Sequence, residues 1–429
     1  MYKVYLYPFF TFLFIWFGFL VFRALPIVYW PELDEKTIFL LIGSFFSIVL
    51  FYFSASFYYS KKIKVVVKEN VNIRSLIRNY NFLVFFSLLS LFLIVLNVII
   101  QLKSYGLGFS LNALTQLRYM KMEENLFKGS FLYQFSLIFS TFPLVLYLFS
   151  MYYESFISKR KKRISLIILI FFLALTLSGG GRNPLFLSLI IFTLAFLYKN
   201  KIKLKNNIVK WKYLLSFIGL IIGFTFLVGK IFLDREKLRE RTIEDGIDNI
   251  LTGYDLHLYD FFETFLSIDI LKEISYTFFM LYFYAVHSLN QLNNFVINSY
   301  LNQDLYLGAM SFYPIVQFLN KFGLNLPTIT MIKSEINDTG TYKTLLGSLY
   351  FDFGIFGTFI VLGILSAIFV KAFSIFYFKN SFLGFCISII ISMVFVTSPI
   401  YNTFSTGMIF LPFMISIFSL YIFMKFNRI

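Results

Sequence analysis

Few residues in this chain have the chemistry to bind or transform a polar substrate, and they sit in connectors between long apolar runs. In LSGGGRNPL, Arg182 directly follows three glycines. A glycine-rich turn bares backbone N–H groups, and a fixed guanidinium beside them suits an anion. The same stretch would also serve as a tight hairpin whose arginine snorkels toward headgroups. Pro184 suits the first turn of a following helix. The run from Asp234 to Gly246 interleaves Arg235, Lys237, Arg239 and Arg241 with carboxylates. Glu236/Glu240 and Lys237/Arg241 are like-charged pairs four apart, a spacing that does not stabilise a lone helix. A ligand or a second loop between these charges accounts for them, and so does a solvated face. Tyr254, Asp255, His257, Tyr259, Asp260 and Glu263 mix aromatics with carboxylates, which suits stacking on sugar rings and bonding their hydroxyls. Asp352, with Tyr350 beside it in LYFDFGIFG, is the only acid in or beside the last three apolar runs. It reads as an acid near a helix N-terminus, stabilised there by about 0.3–1 kcal/mol, or as a base or an orienter of an arginine. In the first case Asp352→Asn is expected to be tolerated, since Asn caps as well.

The elements that must position these groups are hydrophobic helices. The 429 residues are 59% hydrophobic, 22% aromatic and 14% charged. A soluble chain of that length could not hide so much apolar surface, so lipid is the expected solvent. Ten runs approach or reach the roughly 20 residues that cross a bilayer core: 4–24, 37–58, 81–102, 131–152, 164–180, 184–199, 213–232, 349–370, 383–400 and 404–424. With both termini on the cytoplasmic side, that side collects most of the 38 basic residues, in 59–80, 159–163, 199–212 and the final loops. Of the acids, only Glu69 and Glu154 share it. This partition is what the positive-inside rule expects. The net charge of +16 is therefore a topology signal and not a nucleic-acid surface. No cleavable signal peptide is expected, because Met1-Tyr-Lys leads into a run of spanning length. The single Cys386 excludes disulfides and cysteine metal sites.

Between the runs, LPIVYWPELDE offers Tyr29 and Trp30 as interfacial anchors. Residues 104–130 carry Leu111, Leu114, Leu117 and Met120 at helical spacing, which predicts an amphipathic helix on the membrane bearing Arg118. The one large insertion, 233–349, lies outside between runs seven and eight. Within it, 274–286 is apolar but too short to span, and is expected to be re-entrant or interfacial. Residues 307–323 predict a second amphipathic helix broken near Pro314. No phosphate-binding Walker sequence, dinucleotide fingerprint or nucleophile elbow occurs. The spans are nearly free of ionisable groups, which argues against a channel or charge-driven transporter.

SYG and LTQLR in 104–118, SGGGRNPL, GAMSFYPIVQFL and TYKTLLGSLYFDFGIFG together resemble the oligosaccharide repeat unit polymerases, the Wzy-type O-antigen and capsule polymerases. The resemblance extends over most of the chain. It implies an all-α polytopic glycosyltransferase of the GT-C type in the bacterial inner membrane. Such enzymes join repeat units carried on undecaprenyl diphosphate at the outer membrane face. No metal, nucleotide sugar or other cofactor is expected, and a flippase and a chain-length regulator are implied partners. The family's external-loop arginines map onto Arg118 and Arg182, and then onto Arg235, Arg239 and Arg241; no carboxylate aligns clearly as the base. An O-antigen ligase and a lipid-linked oligosaccharide flippase or exporter are the alternatives.

Overall fold

A computed structural model describes residues 3–63, 72–108, 131–178, 182–203, 229–230, 232–233, 236, 241–298, 305–320, 323–327, 344–405 and 409–426. The expected helix bearing Arg118 and most of run 213–232 lie outside these residues. The described helices are α1 (Lys3–Arg23), α2 (Glu35–Lys62), α3 (Ile73–Ser104), α4 (Phe131–Phe139), α5 (Phe142–Tyr152), α6 (Lys159–Ser178), α7 (Arg182–Lys203), α8 (Ile243–Tyr254), α9 (Asp260–Ser267), α10 (Asp269–Asn298), α11 (Tyr313–Asn320), α12 (Leu345–Lys379), α13 (Phe382–Thr397) and α14 (Phe410–Phe426). Among the described residues there is no strand, and a single antiparallel bridge joins Val28 and Leu258.

Segments Glu35–Lys62, Ile73–Ser104, Gln134–Tyr152 and Leu345–Lys379 are long and apolar enough to cross a membrane, and shorter apolar helices accompany them. Their burial runs opposite to that of a water-soluble protein. α2 turns Thr37, Ser44, Ser47 and Ser56 inward while Ile42 and Phe46 are about two-thirds exposed. α3 buries Asn79, Ser87, Ser90, Asn97 and Gln101 and shows Phe85 and Phe92 outward. With lipid as the surrounding medium, outward Phe costs nothing, and small inward residues let helices approach closely. α2 and α12 run parallel on this principle. Ser47 Oγ donates to the Phe359 carbonyl (2.6 Å), and Phe359 and Phe51 fill the space above Gly43 and Gly363. The chain is a helical membrane protein.

The bundle has two unlike ends. Tyr5 near the start of α1 bonds Ser374 near the end of α12 (2.7 Å), and Tyr80 donates to the Lys161 carbonyl at the start of α6 (2.8 Å). Lys62, Lys159–Arg163, Lys199 and Lys379 belong to this basic end, where Glu154 pairs with Lys199 and with Lys162 (3.7 Å). At the opposite end stand the last turn of α1, the first turns of α2 and α12, and the last turn of α13.

A cap covers that opposite end. The apolar stretch 274–286, expected to be a short interfacial piece, is the middle of the 30-residue helix α10. The polar residues after it do not stop the helix, because His287, Ser288, Asn290, Gln291 and Asn293 are buried against protein. At about 45 Å α10 is long enough to cross a bilayer, yet among the described residues its side-chain hydrogen bonds to α1, to the connector after α1 and to the segment after α13 lie at one end of the bundle. Tyr282 reaches the Arg23 carbonyl, Asn293 accepts from Asp34 N (2.8 Å), and Ser288 donates to the Pro399 carbonyl (2.8 Å). α10 therefore lies across the bundle rather than along it. Trp30 follows the same logic. It is not a free anchor: its Nε1 donates to Tyr282 (2.7 Å) and its ring stacks on Phe283. Pro314 does not break a helix; it sits in the first turn of α11, and residues 307–312 form a turn instead.

Candidate functional site

Asp352 is fully buried, and its carboxylate is held by a different segment of chain. Oδ1 accepts from Met310 N (2.9 Å) and Oδ2 from Ser311 N (2.5 Å), while its own carbonyl accepts from Leu307 N (3.1 Å). An anion bound by backbone N–H groups of a turn satisfies donors that would otherwise be buried without partners. The turn needs unusual backbone: Leu307 and Gly308 have φ of 50° and 96°. α12 also breaks two residues after the acid, where Gly354 adopts φ 68°, a conformation that favours glycine. The sequence reading placed Asp352 near a helix N-terminus. It lies instead in the second turn of α12, and the N–H groups it serves belong to 310–311, not to its own helix. Its present role is to clamp residues 305–312 onto α12. The carboxylate has no surface open to a substrate.

From Asp352 a chain of buried polar contacts runs to the cap. Asn402 donates to the Ser311 carbonyl (3.2 Å) and accepts from Phe404 N (3.0 Å). Leu345 N donates to the Ser398 carbonyl (3.1 Å), beside the Pro399 carbonyl that receives Ser288 of α10. Thr37 Oγ1 and Asn290 Oδ1 are buried here without a hydrogen-bond partner. Nearby His287 is 1% exposed, with Nδ1 donating to the Phe283 carbonyl (2.9 Å) and its ring stacked on Phe283. Burial pushes its pKa below the usual imidazole value.

Over the cap, the connector after α1 pairs with the connector between α8 and α9. Tyr29 N donates to the His257 carbonyl (2.9 Å) and Tyr259 N to the Ile27 carbonyl (3.1 Å). Tyr29 and Tyr259 stack with ring centroids 3.6 Å apart, and Tyr29 is half exposed. Asp255, His257, Asp260 and Glu263 are exposed around them. α8 begins with a capping box between Thr242 and Asp245. Glu244 pairs with Lys272 of α10, whose ammonium holds that carboxyl below its usual range.

The sequence-expected site residues fall into separate places. Asp352 is in the clamp, and Tyr350 is buried in the apolar core of α12. Tyr254 packs edge-on against Phe283 and His287 under the cap, and Asp255 is the left-handed C-cap residue of α8. Arg241 is exposed, with its backbone N–H bonded to the carbonyl of the buried Glu236. Arg182 opens α7, and Pro184 lies in that first turn as its position suggested. Arg118, Arg235 and Arg239 lie outside the described residues. Sequence reasoning saw Arg23 only as a charge near a helix end, and it missed the polar face of α10. The signal for the latter was HSLNQLNN, which continues the helical phase of the apolar stretch before it. Among the described residues no group of three His, Cys, Asp or Glu is placed to hold a metal ion. No family model, curated protein or solved structure matches the chain.

Proposed function

We propose that this protein polymerises oligosaccharide repeat units carried on undecaprenyl diphosphate, at the outer face of the bacterial cytoplasmic membrane. It does so as a ten-span, GT-C-like enzyme with both termini in the cytoplasm. One observation carries the reading: the polar chemistry gathers around the α10 cap, at the end opposite the basic cluster of Lys62, Lys159–Arg163, Lys199 and Lys379. The positive-inside rule then makes the cap external. An exported lipid-linked sugar would meet stacked tyrosines and exposed carboxylates there, and Arg182 opens α7 at that same end.

In the reaction, a hydroxyl at the non-reducing end of one lipid-linked repeat attacks the anomeric carbon of the growing chain. The bond to the lipid diphosphate breaks, the hydroxyl's proton passes to a carboxylate, and the diphosphate leaves with its bonding electrons. Arginines offset that charge with a planar fork matched to phosphate oxygens. Because Asp352 is sealed in its clamp, exposed acids such as Asp255 and Asp260 are better placed for the proton. The test is a polysaccharide ladder. Arg182→Ala and Arg118→Ala should each shorten or abolish polymer at normal protein level, and Arg182→Lys should restore only part of it. Full-length polymer from both alanine variants would place the diphosphate elsewhere.

A further inference from the structure

The cap carries an apolar face that its own core does not use. α9 has three unlike sides, because successive residues of a helix stand about 100° apart. Phe262 is 6% exposed and packs on Phe279 of α10 (ring centroids 6.3 Å), with the half-buried Leu266 one turn on. Asp260, Glu263 and Thr264 make an exposed polar side. Phe261 and Phe265, ring centroids 4.9 Å apart, make an exposed apolar one, extended by Ile268 just past the helix end. α10 follows at once, its Leu271 N and Lys272 N both bonded to the Ile268 carbonyl (2.9 Å each). The apolar side therefore runs on into Ile274 and Phe278, four residues apart on one stripe of α10. Phe261 is 64% and Ile274 66% exposed. An apolar patch of this kind, edged by carboxylates, marks a surface with something to cover it.

The place of the patch says what covers it. Phe278 meets Phe22, in the last turn of α1, edge-on (6.2 Å). Beside Phe22, α1 already faces lipid through Phe17 and Val21. The patch thus continues the lipid-facing side of the bundle, on helices that lie across its end. An apolar side joined to the bilayer surface, with the carboxylates on a separate side, is the arrangement of a helix lying in the membrane interface. We infer that α9 and the first turns of α10 bed in the adjacent leaflet of the bilayer, with Phe261, Phe265 and Ile274 among the acyl chains and Asp260 and Glu263 at the headgroups. The polar side is acidic, so the seat draws on apolar burial and not on attraction to anionic lipids. It goes beyond the polymerase reading and is independent of it, needing only the membrane that surrounds α1.

The test is spin labelling of Phe261→Cys, Glu263→Cys and Ile274→Cys in the full chain, in phosphatidylcholine nanodiscs. The native Cys386 is buried in α13 and leaves a low background. Labels at 261 and 274 should be relaxed chiefly by oxygen, which concentrates in lipid. The label at 263, two residues from the first, should be relaxed chiefly by a water-soluble nickel chelate. Nickel access at 261 and 274 equal to that at 263 overturns the seat. So does spin–spin broadening between molecules with low access to both reagents, which would assign the face to a second copy of the chain. With the label moved to Phe265→Cys, adding Phe261→Asp should raise nickel access severalfold, and adding Phe261→Leu should leave it low. Access unchanged by Phe261→Asp also overturns the seat. Should Phe261→Asp fail to fold, the three single-cysteine positions still decide.

Discussion

Both carboxylate oxygens of Asp352 accept backbone N–H groups, which changes what its substitution measures. Asparagine would turn an NH2 toward one of those N–H donors, so Asp352→Asn is disruptive even in a purely architectural role. We expect Asp352→Asn and Asp352→Ala to destabilise the protein by about 1.5–3 kcal/mol, the range for charged hydrogen bonds. Thermal melting in detergent and faster proteolysis within 305–312 would register the loss. A wild-type melt for Asp352→Asn would remove the clamp. His287 gives a pH signature on the same scale. Its folded-state pKa lies below its ordinary 6.5, so the unfolded chain binds a proton first as pH falls. The stability linked to His287 is thus fully present above about pH 6.5 and declines below it. Melting temperatures at pH 7.5 and 5.5 should diverge less in His287→Phe than in wild type; an identical difference in the two proteins would rule out this titration.

The elements most sensitive to change are those in closest contact. Gly384 opens α13 against the last turns of α12, where an added Cβ would stand 2.7 Å from Phe376 N and 2.8 Å from the Ala372 carbonyl. Backbone cannot swing aside as a side chain can. Gly384→Ala is therefore expected to cost about 1–3 kcal/mol, seen as a lowered melting temperature, with a larger loss for Gly384→Val. At the other end, Trp30 ties the connector after α1 to the cap helix. Trp30→Phe keeps the stack on Phe283 but removes the bond to Tyr282, a loss of about 1 kcal/mol. Hydrogen exchange should then rise in α10 around Tyr282 and stay unchanged in α13. Uniform exchange across both helices would mean that the cap and the bundle loosen as one unit.

At the scale of the molecule, the charged ends and the cap make a statement about sides. Cys386 is buried in α13, so single-cysteine variants can be labelled over a low background. A cysteine at Asn249, exposed on α8, should react with a membrane-impermeant maleimide in intact cells. One at Lys161 should react only after the membrane is opened. Reaction at both positions from outside would reverse the topology and remove the cap from any exported substrate.

The sequence by itself determined the membrane as solvent, the helical class, the basic end and the place of Pro184 in the first turn of α7. Each depends on composition or on neighbours within one turn, which hold wherever the rest of the chain lies. The tertiary structure decided what depends on distant partners. HSLNQLNN looked like the polar end of a short interfacial piece, and became the buried half of α10 because Asp34, Glu32 and Pro399 supply its hydrogen bonds. Trp30 looked like a lipid anchor, and its N–H found Tyr282, far away in the chain. Asp352 looked like a candidate base, and its two oxygens met N–H groups 41 and 42 residues earlier. A buried polar group takes its role from whatever satisfies it, and that partner is set by the fold and not by spacing along the chain.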